Sequence, residues 1–227
     1  MSNDLVYVIG DSFFNPEPNN WLSQSLPSSK YTVINWAAGG QGFLRQFDYL
    51  TQLEYQTDFT DIKYCIVGWS SPLRLYDPVE ERDWTLSMIT DTPARRFRNN
   101  ISYKRKKQAL LTLASEDFFD EKFRYKVAKS LLEWVNTAIY NNKKYSHIKF
   151  INFYCVYDSQ HQVIFDNQVT VQPSLFDYFS KIHKDLDQFE KNHMSDSNHT
   201  KMKNFLSYII EQLETKNTKL EYTLHEL

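Results

Sequence analysis

The sequence predicts an α/β fold, a parallel sheet with helices on both faces, and three observations carry that prediction. Four short apolar runs, 5–9, 31–35, 62–68 and 148–154, have the length and the β-branched or aromatic content of buried strands. Between and after them the apolar spacing changes to three and four residues, one face of a helix. Strands that alternate with helices form a parallel sheet, because parallel neighbours need a crossover and the crossover helices cover both faces. The third observation is bulk. A chain of 227 residues with 41% hydrophobic content, 15 tyrosines and 16 phenylalanines can bury a core large enough for one domain over 1–227, and such a composition argues against disorder.

Taken in order, Leu5-Val6-Tyr7-Val8-Ile9 reads as a buried strand that stops at Gly10-Asp11-Ser12, a tight turn presenting a serine hydroxyl at the carboxyl edge of the sheet. Val33-Ile34-Asn35-Trp36-Ala37-Ala38-Gly39-Gly40 carries the second strand into a glycine turn. Phe43, Leu44, Phe47, Leu50 and Leu53 then mark a helix over 43–54. The third strand runs into Gly68-Trp69-Ser70-Ser71. Residues 73–147 form an insertion before the fourth strand. Its second half, roughly 117–141, is a long amphipathic helix with Phe118, Phe119, Phe123, Val127, Leu131, Leu132, Trp134, Val135 and Ile139. Its first half holds Trp84, Met88 and Ile89, then seven basic residues and no acid from Arg95 to Lys107. That stretch reads either as a solvated face or as a rim that meets an anionic polymer or a partner protein. Val163-Ile164-Phe165 reads as another strand, 174–191 as a helix, and 200–214 as a helix with Met202, Phe205, Leu206, Ile209, Ile210 and Leu213 inward.

Several classes are disfavoured. A net charge of −2 argues against nucleic-acid binding through the overall field. No run of eighteen apolar residues suggests a membrane span, and the start shows no basic-then-apolar leader, so no membrane partner and a cytoplasmic location are expected. Cys65 and Cys155 lie in or after strand-like runs and are expected to be buried, reduced thiols. The six histidines form no ligand-spaced pair, and the glycines at 39–42 lack a phosphate loop's lysine, so neither metal nor cofactor is expected. Four of the five glycines fall at 10, 39, 40 and 68, where backbone must come close to something, and the fifth is Gly42.

The residues that carry chemistry are Ser12 at one end of the chain and Asp196-Ser197-Asn198-His199 at the other. Serine, histidine and aspartate together make an alcohol nucleophilic near neutral pH: His199 would take the proton from Ser12, and Asp196 would orient the imidazole. Each also has a bland reading: Ser12 as a turn serine, Asp196 as a helix N-cap, His199 as a first-turn residue. Asp158/His161 has the same spacing, and Glu190/His193 offers a glutamate version. Asp196/His199 is preferred because it sits in a polar loop that leads directly into an amphipathic helix.

Gly10-Asp11-Ser12, the Asn35–Gly40 stretch, Gly68-Trp69-Ser70-Ser71 and Asp196–His199 together resemble the SGNH (GDSL-type) hydrolases. The resemblance covers about the first 72 residues, 148–155 and 192–213. It implies a three-layer, flavodoxin-like sheet and a serine esterase whose oxyanion hole comprises the backbone N–H groups of Ser12 and Gly40 and a side-chain donor at Ser70. Here the chain departs from the family, which has Asn and Asp where Ser70 and Ser71 stand. Arg74 and Trp69 are expected substrate contacts. The Gly-Trp-Ser-Ser-Pro-x-Arg variant is similar to SGNH-like proteins of tailed phages, which implies an O-acetylated glycan substrate and a virion as a further location. The competing reading is a catalytically silent domain of this type that binds a glycan or a protein partner.

Overall fold

A computed structural model describes residues 3–14, 21–77, 82–84, 120–157, 159–183, 196–215 and 221–224. Among these, β1 (Asp4–Ile9), β2 (Tyr31–Asn35), β3 (Ile62–Trp69), β6 (Lys149–Tyr154), β7 (Val169–Gln172) and β8 (Glu221–Thr223) form one sheet in the order β2-β1-β3-β6-β7-β8. All five pairings are parallel, so the α/β prediction is met. The first five strands in this order follow the flavodoxin-like 2-1-3-4-5 pattern, and β8 adds one edge strand. A two-stranded antiparallel ribbon, β4 (Leu75–Asp77) with β5 (Arg82–Trp84), leaves the sheet after β3.

The alternation of side chains along each strand divides the core in two. Val6, Val8, Ile66, Ile151 and Phe153 face one layer, made by α1 (Trp21–Ser25), α4 (Leu175–His183) and α5 (Asp196–Thr215). Tyr7, Ile9, Cys65, Val67 and Phe150 face the other, made by α2 (Phe43–Thr51) and α3 (Glu121–Val135). Central strands covered on both faces must be apolar at every position, which is why β1 and β3 read as continuous runs.

Helix α3 begins where Asp120 accepts the Phe123 N–H at 2.6 Å, an N-cap that fixes the start of the helix. Residues 136–140 continue it as a π-helical turn. The basic stretch 95–107 lies outside the described residues. One expected strand is absent: 163–165 is irregular, and the strand is Val169–Gln172. The reason is a side chain. Tyr154 Oη accepts the Val163 N–H at 2.8 Å and donates to the Val163 carbonyl at 2.7 Å. The backbone groups that a ladder would use are thereby satisfied locally, while Phe165 is buried against Trp69 and Tyr140.

Candidate functional site

The carboxyl edge of β1 is built around Phe14. The Asp11 carbonyl accepts the Phe14 N–H at 3.0 Å, and Asp11 Oδ1 accepts the Phe13 N–H at 3.0 Å, closing a turn in which Ser12–Phe14 form one 3₁₀ helix. The Phe14 ring is folded under that turn, fully buried. A Cβ on Gly10 would lie 2.8 Å from the ring, and one on Gly68 would run into the Cε2 edge of the ring and lie 2.9 Å from Cys155 Sγ. The glycines at 10 and 68 therefore make room for Phe14. The ring in turn holds Ser12, half-buried, at the sheet edge.

The second stretch closes over this turn. Asn35 Oδ1 accepts the Ala37 N–H at 2.8 Å, and its Nδ2 donates to the Phe14 carbonyl at 2.9 Å, so β2 is fastened to the Ser12 turn. A Cβ on Gly39 would stand 3.9 Å from Ser12 Cβ, which puts this glycine alongside the serine. Gly40 has φ +85°, a backbone conformation that a side chain resists.

Beneath Ser12 lies a buried polar network. Ser70 Oγ donates to Asp11 Oδ2 at 2.8 Å, and the Ser70 N–H donates to Gln46 Oε1 on α2 at 2.7 Å. Asp11, Ser70 and Gln46 are all fully or almost fully buried. Burial pushes the Asp11 carboxyl above its ordinary value, opposed by the hydrogen bonds from Phe13 and Ser70 and by the nearby Arg74 charge. The Cys155 thiol is raised by its own burial and by Asp11 beside it, and both cysteines are buried and free. Arg74, half-buried, turns back toward this network and donates to the Gln41 carbonyl at 3.3 Å. Arg124, reaching from α3, donates to the Pro72 carbonyl at 2.8 Å and the Arg74 carbonyl at 3.0 Å and so fixes the segment that follows β3.

At the other end of the chain, Asp196 opens α5 and His199 lies in its first turn. His199 is half-buried, and its Nδ1 accepts the backbone N–H of Trp21 at 3.1 Å. The Trp21 indole N–H donates to the Phe13 carbonyl at 2.9 Å. One buried residue thus touches both the Ser12 turn and the histidine. The Asp196 side chain lies outside the described residues.

Ser70 is at the site, but its one hydroxyl proton is directed to Asp11 while that carboxylate is ionised. Trp69 is a core residue rather than a pocket wall: it is fully buried, and its indole N–H donates to Asn152 Oδ1 at 3.0 Å. The alternative histidine His161 stacks on Tyr125 at 4.5 Å, and Asp158, Glu190 and His193 fall outside the described residues. Sequence reasoning missed Asp11, Gln46 and Trp21 as parts of the site. Gln46 carried a usable signal, a polar residue on the same helical face as Phe43 and Leu50.

No family model matches the chain, and no curated protein matches it. A solved structure of a candidate lipolytic protein of the G-D-S-L family from Desulfitobacterium hafniense is similar at 15% identity and a TM-score of 0.34, covering 91% of this chain and 99% of that one. Among the described residues there is no group of side chains that could hold a metal, and no helix is long and apolar enough to cross a membrane.

Proposed function

We propose that the protein is a serine ester hydrolase with Ser12 as nucleophile, His199 as base and Asp196 as the group that orients it. The observation that carries this reading is that Trp21 joins the Ser12 turn to His199, through 2.9 Å and 3.1 Å hydrogen bonds, at the carboxyl edge of a parallel sheet. Open α/β folds bind their ligands at that edge.

In the reaction Ser12 Oγ attacks the acyl carbon as its proton passes to His199 Nε2. The tetrahedral intermediate places its oxyanion among the N–H groups of Ser12 and Gly40, and Ser70 becomes the third donor when its hydroxyl turns away from Asp11. Collapse breaks the ester bond and hands the proton from Nε2 to the departing alcohol. Water then repeats the sequence on the acyl-serine and frees the acid. A protein of this class would take small acyl esters, and acetyl groups on a glycan are the substrates proposed here.

Two contacts favour a second reading, a silent domain that binds a glycan or a protein. The Ser70 hydroxyl faces Asp11, and His199 Nδ1 faces Trp21. Hydrolysis of short-chain nitrophenyl esters separates the two readings. The hydrolase reading expects turnover by the wild type that falls at least 1000-fold in both Ser12→Ala and His199→Ala, each still folded. Wild-type protein that gives no turnover above the alanine variants establishes the silent domain.

A further inference from the structure

The Trp21 contact has a consequence for the proton on His199. Trp21 is the first residue of α1, so its N–H has no acceptor within the helix, and His199 Nδ1 takes that place. A backbone amide can only donate. Nδ1 must therefore present a lone pair, and in the neutral ring the single proton sits on Nε2. Trp21 is held from every side. Its indole N–H is on the Phe13 carbonyl, and its ring packs edge-on against Phe14 at 5.2 Å and Phe153 at 5.9 Å. Its carbonyl accepts from Ser25 Oγ at 2.7 Å, and the same hydroxyl lies 3.2 Å from the Lys203 carbonyl of α5. The amide is thus fixed relative to both the serine turn and the histidine helix.

We propose that Trp21 is a positioning residue that holds His199 in the Nε2–H tautomer, so that the resting site is closed to base catalysis and opens when Nδ1 leaves the Trp21 amide. This rests on the serine hydrolase reading and adds its regulation. A base that accepts the Ser12 proton needs a bare Nε2, and a neutral imidazole has a bare Nε2 only when Nδ1 carries the proton. A proton on Nδ1 would point at the Trp21 N–H, donor against donor. The ring therefore cannot both keep the Trp21 contact and act as base. Occupation of the site, by an acyl group on Ser12 or an analogue of the tetrahedral intermediate, favours the ring that has exchanged its Nδ1 partner.

The test uses the intact protein with ¹⁵N-labelled histidine, and two-bond ¹H–¹⁵N correlation spectra report which ring nitrogen carries the proton. Comparison with His199→Gln assigns the His199 signals. In the resting protein His199 is expected to show a protonated Nε2 and an unprotonated, hydrogen-bonded Nδ1. After reaction with a fluorophosphonate, the proton is expected on Nδ1. A resting His199 that already carries its proton on Nδ1 overturns the proposal, as does a labelled protein in which Nδ1 stays unprotonated. A resting Nε2–H tautomer in a protein whose Ser12 does not react supports the Trp21 contact and overturns the hydrolase reading, which tells the two failures apart.

Discussion

The two edges of the sheet handle polar groups in opposite ways. At the amino edge, Lys63 pairs with Asp4 at 2.7 Å and with Glu214 at 3.5 Å, Lys30 pairs with Glu214 at 3.0 Å, and Tyr64 Oη donates to Glu214 at 3.3 Å. The four charged side chains remain about 30–50% exposed and, with Lys149, His147 and the buried Tyr64, line an open cavity of about 790 Å³. At the carboxyl edge, Asp11, Ser70 and Gln46 are almost wholly buried and bond to one another. Water screens the first group, and each of its pairs contributes little; the second group is costly to bury and is retained beside the candidate nucleophile. Burial of polar groups, rather than their number, is what singles out the carboxyl edge.

That difference makes graded predictions. The largest effect is expected at the packing that holds the Ser12 turn. Gly68→Ala puts a methyl into the Phe14 ring and Cys155, and chemical denaturation should show a loss of about 3 kcal/mol. An unchanged midpoint would mean that Phe14 is not wedged there.

Next comes Asn152, fully buried, whose Oδ1 accepts from the Trp69 indole at 3.0 Å and from Tyr140 Oη at 2.6 Å. Asn152→Leu leaves both donors buried without an acceptor, and a loss of about 2 kcal/mol is expected. A neutral result would show that the two donors find other acceptors.

A smaller, pH-dependent effect belongs to Asp11. Its carboxyl is raised above the ordinary 3.8 chiefly by burial. A raised acid contributes stability that is complete below the ordinary value and is lost as pH rises through the folded value. Asp11→Asn removes this titration. The melting temperature of the variant relative to wild type should therefore be higher at pH 7 than at pH 3, and a difference that does not vary with pH would contradict the burial argument.

The smallest effect is at the amino edge. Lys63→Ala should change stability by less than about 1 kcal/mol, and salt should erase most of that. A loss as large as that of Asn152→Leu would dissolve the contrast between the edges.

Much of the fold was legible in the sequence because central parallel strands must be apolar on both faces. Runs such as Leu5–Ile9 and Ile62–Val67 therefore announce themselves without any partner in view. Val163–Phe165 misled for the same reason: it is apolar because Phe165 plugs the core, and nothing in the local sequence says that Tyr154, nine residues earlier, takes the backbone hydrogen bonds. The edge strand Glu221–Thr223 is too short and polar to signal itself. At the candidate site, the placement of Ser12 at a turn and of His199 in a first helical turn could be read from the sequence. The contacts of Trp21 and Ser70 could not, because they join residues 178 and 59 positions apart in the chain. The Ser70 departure was visible as a residue type. That its hydroxyl would face Asp11 depends on where β1 and β3 end side by side, with Ile9 opposite Val67.

The central claim is that Ser12 is a nucleophile. Treatment of the wild type and of Ser12→Ala with a fluorophosphonate, followed by intact mass and peptide mapping, measures this directly. One adduct per wild-type chain is expected, mapped to the peptide that carries Ser12, and none on the variant. An unmodified wild type, or an adduct that persists in Ser12→Ala, would contradict it.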